Sequence, residues 1–150
     1  MKAAPASDPV QLPLLLLDTH VLVWLMFGER QLNSHAREVI RKSSRVERLL
    51  VSAITPWEIG VLVAKGRINL HQDTMRWVAA ALAMPGLRLA PLEPEIAVQS
   101  TRLSFDIHPD PADRILVATA RHLGATLVTA DRALVELAKK GHFKAINAVR

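Results

Sequence analysis

Short apolar runs alternate along the chain with longer segments in which apolar residues recur at helical spacing. Most of the short runs are apolar at consecutive positions, as expected for parallel strands that helices cover on both faces. The alternation therefore predicts an α/β fold, with three α/β/α layers around a mainly parallel sheet of about five strands. The candidate strands are Leu14–Leu17, Leu49–Ser52, Leu87–Leu89, Thr126–Thr129 and Lys144–Val149.

The segments between these runs have the periodicity of helices, and several carry residues that favour helix ends. Thr55 and Asp110 each precede a proline, so each is predicted to cap a helix that begins at that proline. A glycine follows three of the segments, where helices commonly end; these glycines are Gly66, Gly124 and Gly141. The predicted helices are His20–Met26, Ser34–Ser43, Pro56–Lys65, Asp73–Met84, Glu95–Leu103, Pro111–Leu123 and Ala133–Lys140.

Half of the 150 residues are hydrophobic, which suffices for one domain with its own core. Residues 1–12 are expected to be a flexible leader, because prolines stand there among small and polar residues, and residues 13–150 a single domain. The absence of cysteine excludes a disulfide framework and a cysteine nucleophile, and it favours the cytoplasm as the location. The apolar run Leu14–Leu17 is too short for a signal peptide or a membrane span, so no membrane partner is expected.

Four acidic residues lie where ligands bind in open parallel sheets, beyond the carboxyl ends of the strands. Asp18 ends the first strand, Asp131 follows the fourth, and Glu58 and Asp113 are expected in the first turns of two helices. Each acid also fits a plainer role as a helix cap or as a partner of the helix dipole. Apolar residues share the helix stripes of Glu58 and Asp113, however, so both carboxylates are expected at the edge of the core.

Carboxylates drawn into one half-buried pocket repel each other unless a cation joins them. Hard oxygen ligands of this kind suit Mg²⁺ or Mn²⁺, and the cluster therefore favours a metal-assisted phosphoryl reaction. The chain has no P-loop, no dinucleotide glycine fingerprint and no nucleophile elbow. Phosphatases that form a phosphoaspartate place a second aspartate two positions after the first, and His20 occupies that position after Asp18. Asp18 is therefore not expected to accept a phosphoryl group.

The segments 15–24, 51–59, 108–114 and 127–132 resemble those of PIN-domain ribonucleases, in the order and spacing of the VapC-type toxins of bacterial type II toxin-antitoxin pairs. The resemblance implies a PIN-like sandwich and an Mg²⁺- or Mn²⁺-dependent endoribonuclease. It also implies that Asp18 and Asp113 are the principal metal ligands. Glu58 and Asp131 would complete the set, directly or through water.

Three neighbouring residues have supporting roles under the same resemblance. Thr19 and Thr129 would orient metal waters or the phosphate, although a hydroxyl beside an acid also acts as a local cap. His20 replaces the asparagine or serine of many PIN domains, and its imidazole either binds phosphate, tunes the water or simply begins a helix. His108 has the same alternatives.

Basic residues exceed acidic ones by 19 to 14, so the formal net charge is +5. The excess favours an anionic partner, which the resemblance identifies as RNA. Arg37, Arg41 and Arg45 recur every four residues and form either an RNA-binding face or an ordinary solvated one. Arg114 and Arg132 follow two of the acids and could contact phosphates or pair with those carboxylates.

The resemblance further implies a cognate antitoxin and assembly as a homodimer or a toxin-antitoxin hetero-oligomer. Trp24, Trp57 and Trp77 are expected in the core or in such interfaces. Two other functions remain open. The first is a non-catalytic PIN-like module that binds RNA or protein, and the second is a metal phosphatase that acts on small phosphate esters.

Overall fold

The computed structural model describes residues 12–28 and 30–149. Over this part of the chain it contains five strands and seven helices. In chain order these are β1 (Leu15–Leu17), α1 (Thr19–Phe27), α2 (Ser34–Arg45), β2 (Leu49–Ser52), α3 (Ile54–Ala64), α4 (Thr74–Leu82), β3 (Leu87–Ala90), α5 (Pro94–Ser100), α6 (Pro111–Leu123), β4 (Thr126–Thr129), α7 (Arg132–Lys139) and β5 (Lys144–Asn147). The expected leader over residues 1–12 falls outside the described residues except for Leu12.

The five strands form one sheet in the order β3-β2-β1-β4-β5, and every neighbouring pair is parallel. Helices cover both faces, so the predicted three-layer α/β/α sandwich is confirmed. The strand order reverses between β1 and β4, the two central neighbours. In open α/β sheets the crevice beyond the carboxyl ends of such a pair is the usual ligand site.

The consecutive leucines of β1 supply both halves of the core. Leu15 and Leu17 face a cluster that includes Ile59 of α3 and Trp77 of α4. Leu16 points to the opposite face, where α6 and α7 pack. Side chains alternate between the faces of a strand, so a run that is apolar at every position fits a strand buried on both sides.

The predicted start of α3 was wrong by two residues. The helix begins at Ile54, and Thr55 makes no capping hydrogen bond. The Ser52 hydroxyl instead accepts a hydrogen bond from the Ile54 N–H at 3.1 Å, which begins the helix earlier. Pro56 is tolerated as the third helical residue because the first N–H groups of a helix have no intrahelical acceptor. Glu58 consequently lies in the second turn rather than the first.

The predicted cap of α6 and the predicted glycine ends agree with the structure, whereas α5 ends at Ser100, three residues before the predicted Leu103. Asp110 caps α6 by accepting a hydrogen bond from the Ala112 N–H at 3.0 Å, with Pro111 as the first helical residue. The three glycines expected after helices have positive φ angles, between 65° and 92°. None of the described helices has the length and apolar character needed to cross a membrane.

Candidate metal centre

The topology brings the four predicted acids to one edge of the sheet. Asp18 follows β1 and Asp131 follows β4, and these strands are paired with Leu17 opposite Val128. The helices that run antiparallel to the strands begin at this same edge. Asp113, in the first turn of α6, therefore lies near Asp18 and Asp131. Glu58 arrives on α3, after β2 on the other side of β1. All four acids line one pocket of about 340 Å³.

Asp18 is buried and held by two donors. Its Oδ1 accepts a hydrogen bond from the Thr19 N–H at 2.7 Å, and its Oδ2 accepts one from the Thr129 hydroxyl at 2.6 Å. Burial nevertheless raises the pKa of Asp18, because the two hydrogen bonds offset only part of the lost hydration. The position suits a carboxylate that shares its charge with a cation.

Glu58 is oriented by the same threonine that begins α1. The Thr19 hydroxyl donates to Glu58 Oε1 at 2.5 Å, and the buried Thr55 hydroxyl lies 3.5 Å from that of Thr19. Partial burial is the main cause that raises the pKa of Glu58, and the neighbouring Asp18 and Asp110 charges raise it further. Thr55 therefore packs behind the site instead of capping a helix.

The Asp113 carboxyl is also strongly perturbed. Its residue is 8% exposed, and burial raises its pKa to about 8. The negative charges of Asp18, Asp110, Asp131 and Glu58 act in the same direction. A buried carboxyl surrounded by four others binds a proton, unless a divalent cation takes the place of that proton.

Asp131 caps a helix and also lines the acidic pocket. Its Oδ1 caps α7 by accepting a hydrogen bond from the Leu134 N–H at 3.2 Å. The same side chain lines the acidic pocket and is about one-third exposed, at 37%. Its backbone N–H donates to the Thr129 hydroxyl at 3.0 Å, and that hydroxyl donates in turn to Asp18. Thr129 therefore links two of the acids.

The sequence analysis did not predict two of the residues that line the pocket. Asp110 lines the pocket in addition to capping α6, and Trp24 lines it from α1. The motif Asp110-Pro111 indicated a cap so clearly that the second role was not considered. Its spacing from Asp113, three residues along one helix end, was the signal that could have revealed it.

The donor set fits a divalent cation. The described residues that line the pocket include five carboxylates and His20, and neither a lysine nor an arginine. Charges of one sign in a half-buried pocket need a compensating cation, and oxygen donors are the ligands that Mg²⁺ and Mn²⁺ prefer. His20 is exposed, with its ring 6.1 Å from that of Trp24. His108 lies beside Asp113, with Nε2 at 3.3 Å from Oδ2.

The predicted RNA-contacting arginines are in three kinds of surroundings. Arg114 donates to the carbonyl oxygens of Ser100 at 3.3 Å and Ile107 at 3.2 Å, so its guanidinium binds backbone instead of the acids. Arg41 pairs with Glu38 at 2.5 Å, which neutralises part of the α2 face. Three others lie exposed on α2 or at the start of α7; these are Arg37, Arg45 and Arg132.

A larger cavity, of about 890 Å³, lies away from the acids. It is lined by residues of α6, α7 and β5, including Arg121, Lys139 and Lys144, and none of the described lining residues is a carboxylate. Its size does not make it the reactive site, because its three basic side chains repel a metal ion and His142 is the one described lining residue that could bind one.

Comparison with known proteins agrees with the observed fold. A model of the PIN domain family matches residues 15–140. The chain is 32% identical over 120 residues to Ribonuclease VapC22 of Mycobacterium tuberculosis (strain ATCC 25618 / H37Rv). The aligned residues cover 80% of this chain and 88% of that protein. A toxin-antitoxin complex from Klebsiella pneumoniae has a similar fold, with a TM-score of 0.60 and 19% identity over 90% of this chain and 98% of that chain. VapBC2 from Rickettsia felis, bound to a DNA fragment from its promoter, has a TM-score of 0.59 and 15% identity over 89% of this chain and 97% of that chain.

Proposed function

This chain belongs to the PIN domain family, and from that premise we propose that it is an endoribonuclease toxin that uses a divalent metal ion and is neutralised by a cognate antitoxin. The observation that carries the proposal is the convergence of Asp18, Glu58, Asp113 and Asp131 on one pocket that contains no fixed cation among its described lining residues. The 32% identity to a ribonuclease over most of both chains supports the reaction class.

The four acids would hold the ion, with Asp18 and Asp113 as the principal ligands. A bound Mg²⁺ or Mn²⁺ supplies a water of lowered pKa and neutralises charge on a scissile phosphodiester. Thr19 and Thr129 fix the carboxylates, since their hydroxyls donate to Glu58 and to Asp18. This orienting role follows from the hydrogen bonds alone, and it reduces the reorganisation needed when the ion binds.

The charge distribution supports RNA as the substrate. The chain carries a formal net charge of +5 although five carboxylates meet in one pocket, so the remaining surface is strongly basic. Aromatic residues make up only 4% of the chain, which favours recognition through backbone charge and shape over base stacking. Arg132 is exposed and directly follows Asp131, which supports a role for it in binding a phosphate beside the metal.

Apolar surface on the first half of the chain supports a protein partner. Trp77 is buried in the core, but Trp57 of α3 is 55% exposed and Met75 of α4 is 66% exposed. Because α3 and α4 contact each other, these two side chains are exposed on neighbouring helices, and clustered apolar surface favours an interface more than single exposed residues do. We assign this surface to the binding of the antitoxin or of a second copy of the chain in a homodimer. We place the protein in the cytoplasm.

Cleavage of a labelled structured RNA tests the proposed function. The wild type should cleave with Mg²⁺ or Mn²⁺ and stop in EDTA, and Asp18→Asn and Asp113→Asn should each lower the rate by at least about a hundredfold. Asp73→Asn is the matched control, because Asp73 caps α4 away from the pocket and asparagine caps equally well.

Two other outcomes would overturn the proposal. Retention of RNA without cleavage, by the wild type and the variants alike, would indicate a binding module. Metal-dependent hydrolysis of small phosphate esters without RNA cleavage would indicate a phosphatase.

A further inference from the structure

His108 lies on the loop between α5 and α6, close to two of the acids that line the pocket. Its Nε2 is 3.3 Å from Asp113 Oδ2 and 4.0 Å from Asp131 Oδ2. One donor atom from each of these three residues lies within 4.8 Å of the other two. Among the described residues this is the one such group of histidine and carboxylate donors.

The 3.3 Å between His108 and Asp113 matches the separation of adjacent ligands of one ion, and the 4.0 Å between His108 and Asp131 lies closer to the separation of about 4.2 Å expected for opposite ligands. Donors about 2.1 Å from a metal are about 3.0 Å apart at a right angle and about 3.4 Å apart at a tetrahedral angle. A charge-assisted hydrogen bond between imidazolium and carboxylate would be shorter, at about 2.7–2.9 Å. The distance of 3.3 Å between His108 and Asp113 therefore fits two lone pairs converging on a common cation better than it fits a direct ion pair.

The fold fixes the loop that carries His108. The Arg114 guanidinium donates to the carbonyl oxygens of Ser100 and Ile107, at the beginning of the loop and directly before His108. Phe105 stacks on His142 with 4.2 Å between ring centroids, and Arg121 covers the Phe105 ring at 5.3 Å. These contacts hold the segment directly before His108.

We propose that His108 is a nitrogen ligand of the divalent ion and shares it with Asp113 and Asp131 at one end of the acidic pocket. The inference rests on the proposed function only in requiring a metal, and it requires neither RNA nor an antitoxin. A site with one imidazole favours Mn²⁺ over Mg²⁺, because Mg²⁺ prefers oxygen donors alone.

His20 is the alternative nitrogen donor, because it also lines the pocket. It is the second residue of α1 and is exposed, and its ring lies near that of Trp24, at 6.1 Å between centroids. It does not belong to the group of donors that meet within 4.8 Å in the described part of the chain. The geometry therefore distinguishes the two histidines.

Pulsed electron paramagnetic resonance of the Mn²⁺-loaded protein tests the assignment directly. The wild type should show hyperfine coupling from a histidine nitrogen, and His108→Gln should abolish it and weaken Mn²⁺ binding by about tenfold or more in calorimetry. His20→Gln should retain the coupling. His122→Gln, at the exposed end of α6, is the control for loss of an unrelated histidine. Thermal melts in EDTA verify that each variant is folded.

The inference is overturned if the coupling persists in His108→Gln, disappears in His20→Gln, or is absent from Mn²⁺-loaded wild type. It is also overturned if the wild type binds no Mn²⁺. Failure of the proposed function gives a different result, since a protein with nitrogen-coupled Mn²⁺ that cleaves no RNA would retain this metal centre and lose its assigned substrate.

Arg114 acts as a positioning residue for His108 under this proposal. Arg114→Gln removes both carbonyl contacts and should lower the amplitude of the nitrogen coupling and the Mn²⁺ affinity together. Arg102→Gln, an exposed arginine of the same loop, should change neither. Unchanged coupling in a folded Arg114→Gln variant would show that the loop does not need this anchor.

Discussion

Asp131 serves the fold and the site with different oxygens. Oδ1 caps α7 through the Leu134 N–H, and Oδ2 lies 4.0 Å from His108 Nε2. An acid at a helix start was open to either interpretation from sequence, because caps and metal ligands both favour aspartate. In the structure Oδ1 makes the cap, which leaves Oδ2 for the metal ion that we propose.

Asp131→Asn should separate these two roles. Asparagine still accepts the Leu134 hydrogen bond, so we expect the free energy of unfolding in EDTA to stay within about 1 kcal/mol of the wild type. The lost charge should weaken Mn²⁺ binding by about tenfold or more. Urea denaturation and calorimetry measure the two effects. Asp73→Asn, the same change at the cap of α4, should leave Mn²⁺ affinity intact. A large loss of stability in Asp131→Asn alone would mean that its charge supports the fold.

Asp113 should make the metal-free protein less stable as the pH rises. Its pKa is about 8 in the folded protein and near its ordinary value of 3.8 in the unfolded chain, so the folded state binds more protons between these values. The free energy of unfolding therefore falls as the pH increases from about 4 to 8. Thermal melts in EDTA should show a falling Tm across this range, and added Mn²⁺ should raise the Tm most at the upper end.

Asp113→Asn is the control for this pH dependence. Asparagine cannot ionise, so the variant should lose less Tm between pH 5 and pH 8 than the wild type does. Asp18 and Glu58 also have raised pKa values and should leave part of the slope. Equal slopes in wild type and variant would assign the pH dependence to other groups.

Among the elements, buried strands were easier to predict than helix starts. The strands β2 and β4 have the predicted bounds because their apolar runs end at polar residues that the sheet edge requires. The start of α3 was missed because a proline usually marks the first helical residue, whereas the Ser52 hydroxyl begins this helix upstream of Pro56. The preference of proline for the first helical position therefore gave the wrong start, because the Ser52 side chain of the preceding strand caps the helix two residues earlier.

The site itself was predictable only in part. The sequence placed four acids at the carboxyl ends of strands or at helix starts, and parallel topology brings such positions together. Asp110 could have been found from its spacing to Asp113, but His108 depends on how the loop between α5 and α6 folds back, which is determined by Arg114 and Phe105. No periodicity or spacing encodes contacts of that kind. The distances from His108 to the acids therefore required the structure.

Gly86 marks a close approach between the start of β3 and the end of α2. Its φ is +82°, and a Cβ there would lie 2.0 Å from the carbonyl oxygen of Ser44. Gly86→Ala should therefore destabilise the protein by about 3 kcal/mol or more, through backbone strain and a clash with backbone atoms. Urea denaturation measures the loss.

Gly66→Ala separates the cost of backbone strain from the cost of the clash. Gly66 has a similar φ of +68°, but a Cβ there meets nothing within 4 Å. Its substitution should cost only the left-handed conformation, about 1 kcal/mol. Equal losses at Gly66 and Gly86 would show that α2 moves away from the glycine at little cost.

At the scale of the whole molecule, helix direction decides which basic residues are near the site. The Asn33 N–H, at the start of α2, donates to the carbonyl of Ala148 just beyond β5, at the same edge of the sheet as the acids. The Ser43 hydroxyl, near the other end of α2, donates to the carbonyl of Pro13 before β1. Arg37 thus lies towards the acidic edge, and Arg45 lies about 12 Å farther along the helix.

Substitution of the two arginines should accordingly affect RNA binding unequally. In an Asp18→Asn background, which retains RNA uncut, Arg37→Gln should weaken binding more than Arg45→Gln does, because RNA that reaches the metal passes the nearer end of α2. Each lost phosphate contact should also reduce the slope of log affinity against log salt by about 1. Filter binding at several salt concentrations measures both quantities. Equal effects of Arg37→Gln and Arg45→Gln would show that the face of α2 attracts RNA only through its overall charge, and an unchanged slope in both would place the RNA on another surface.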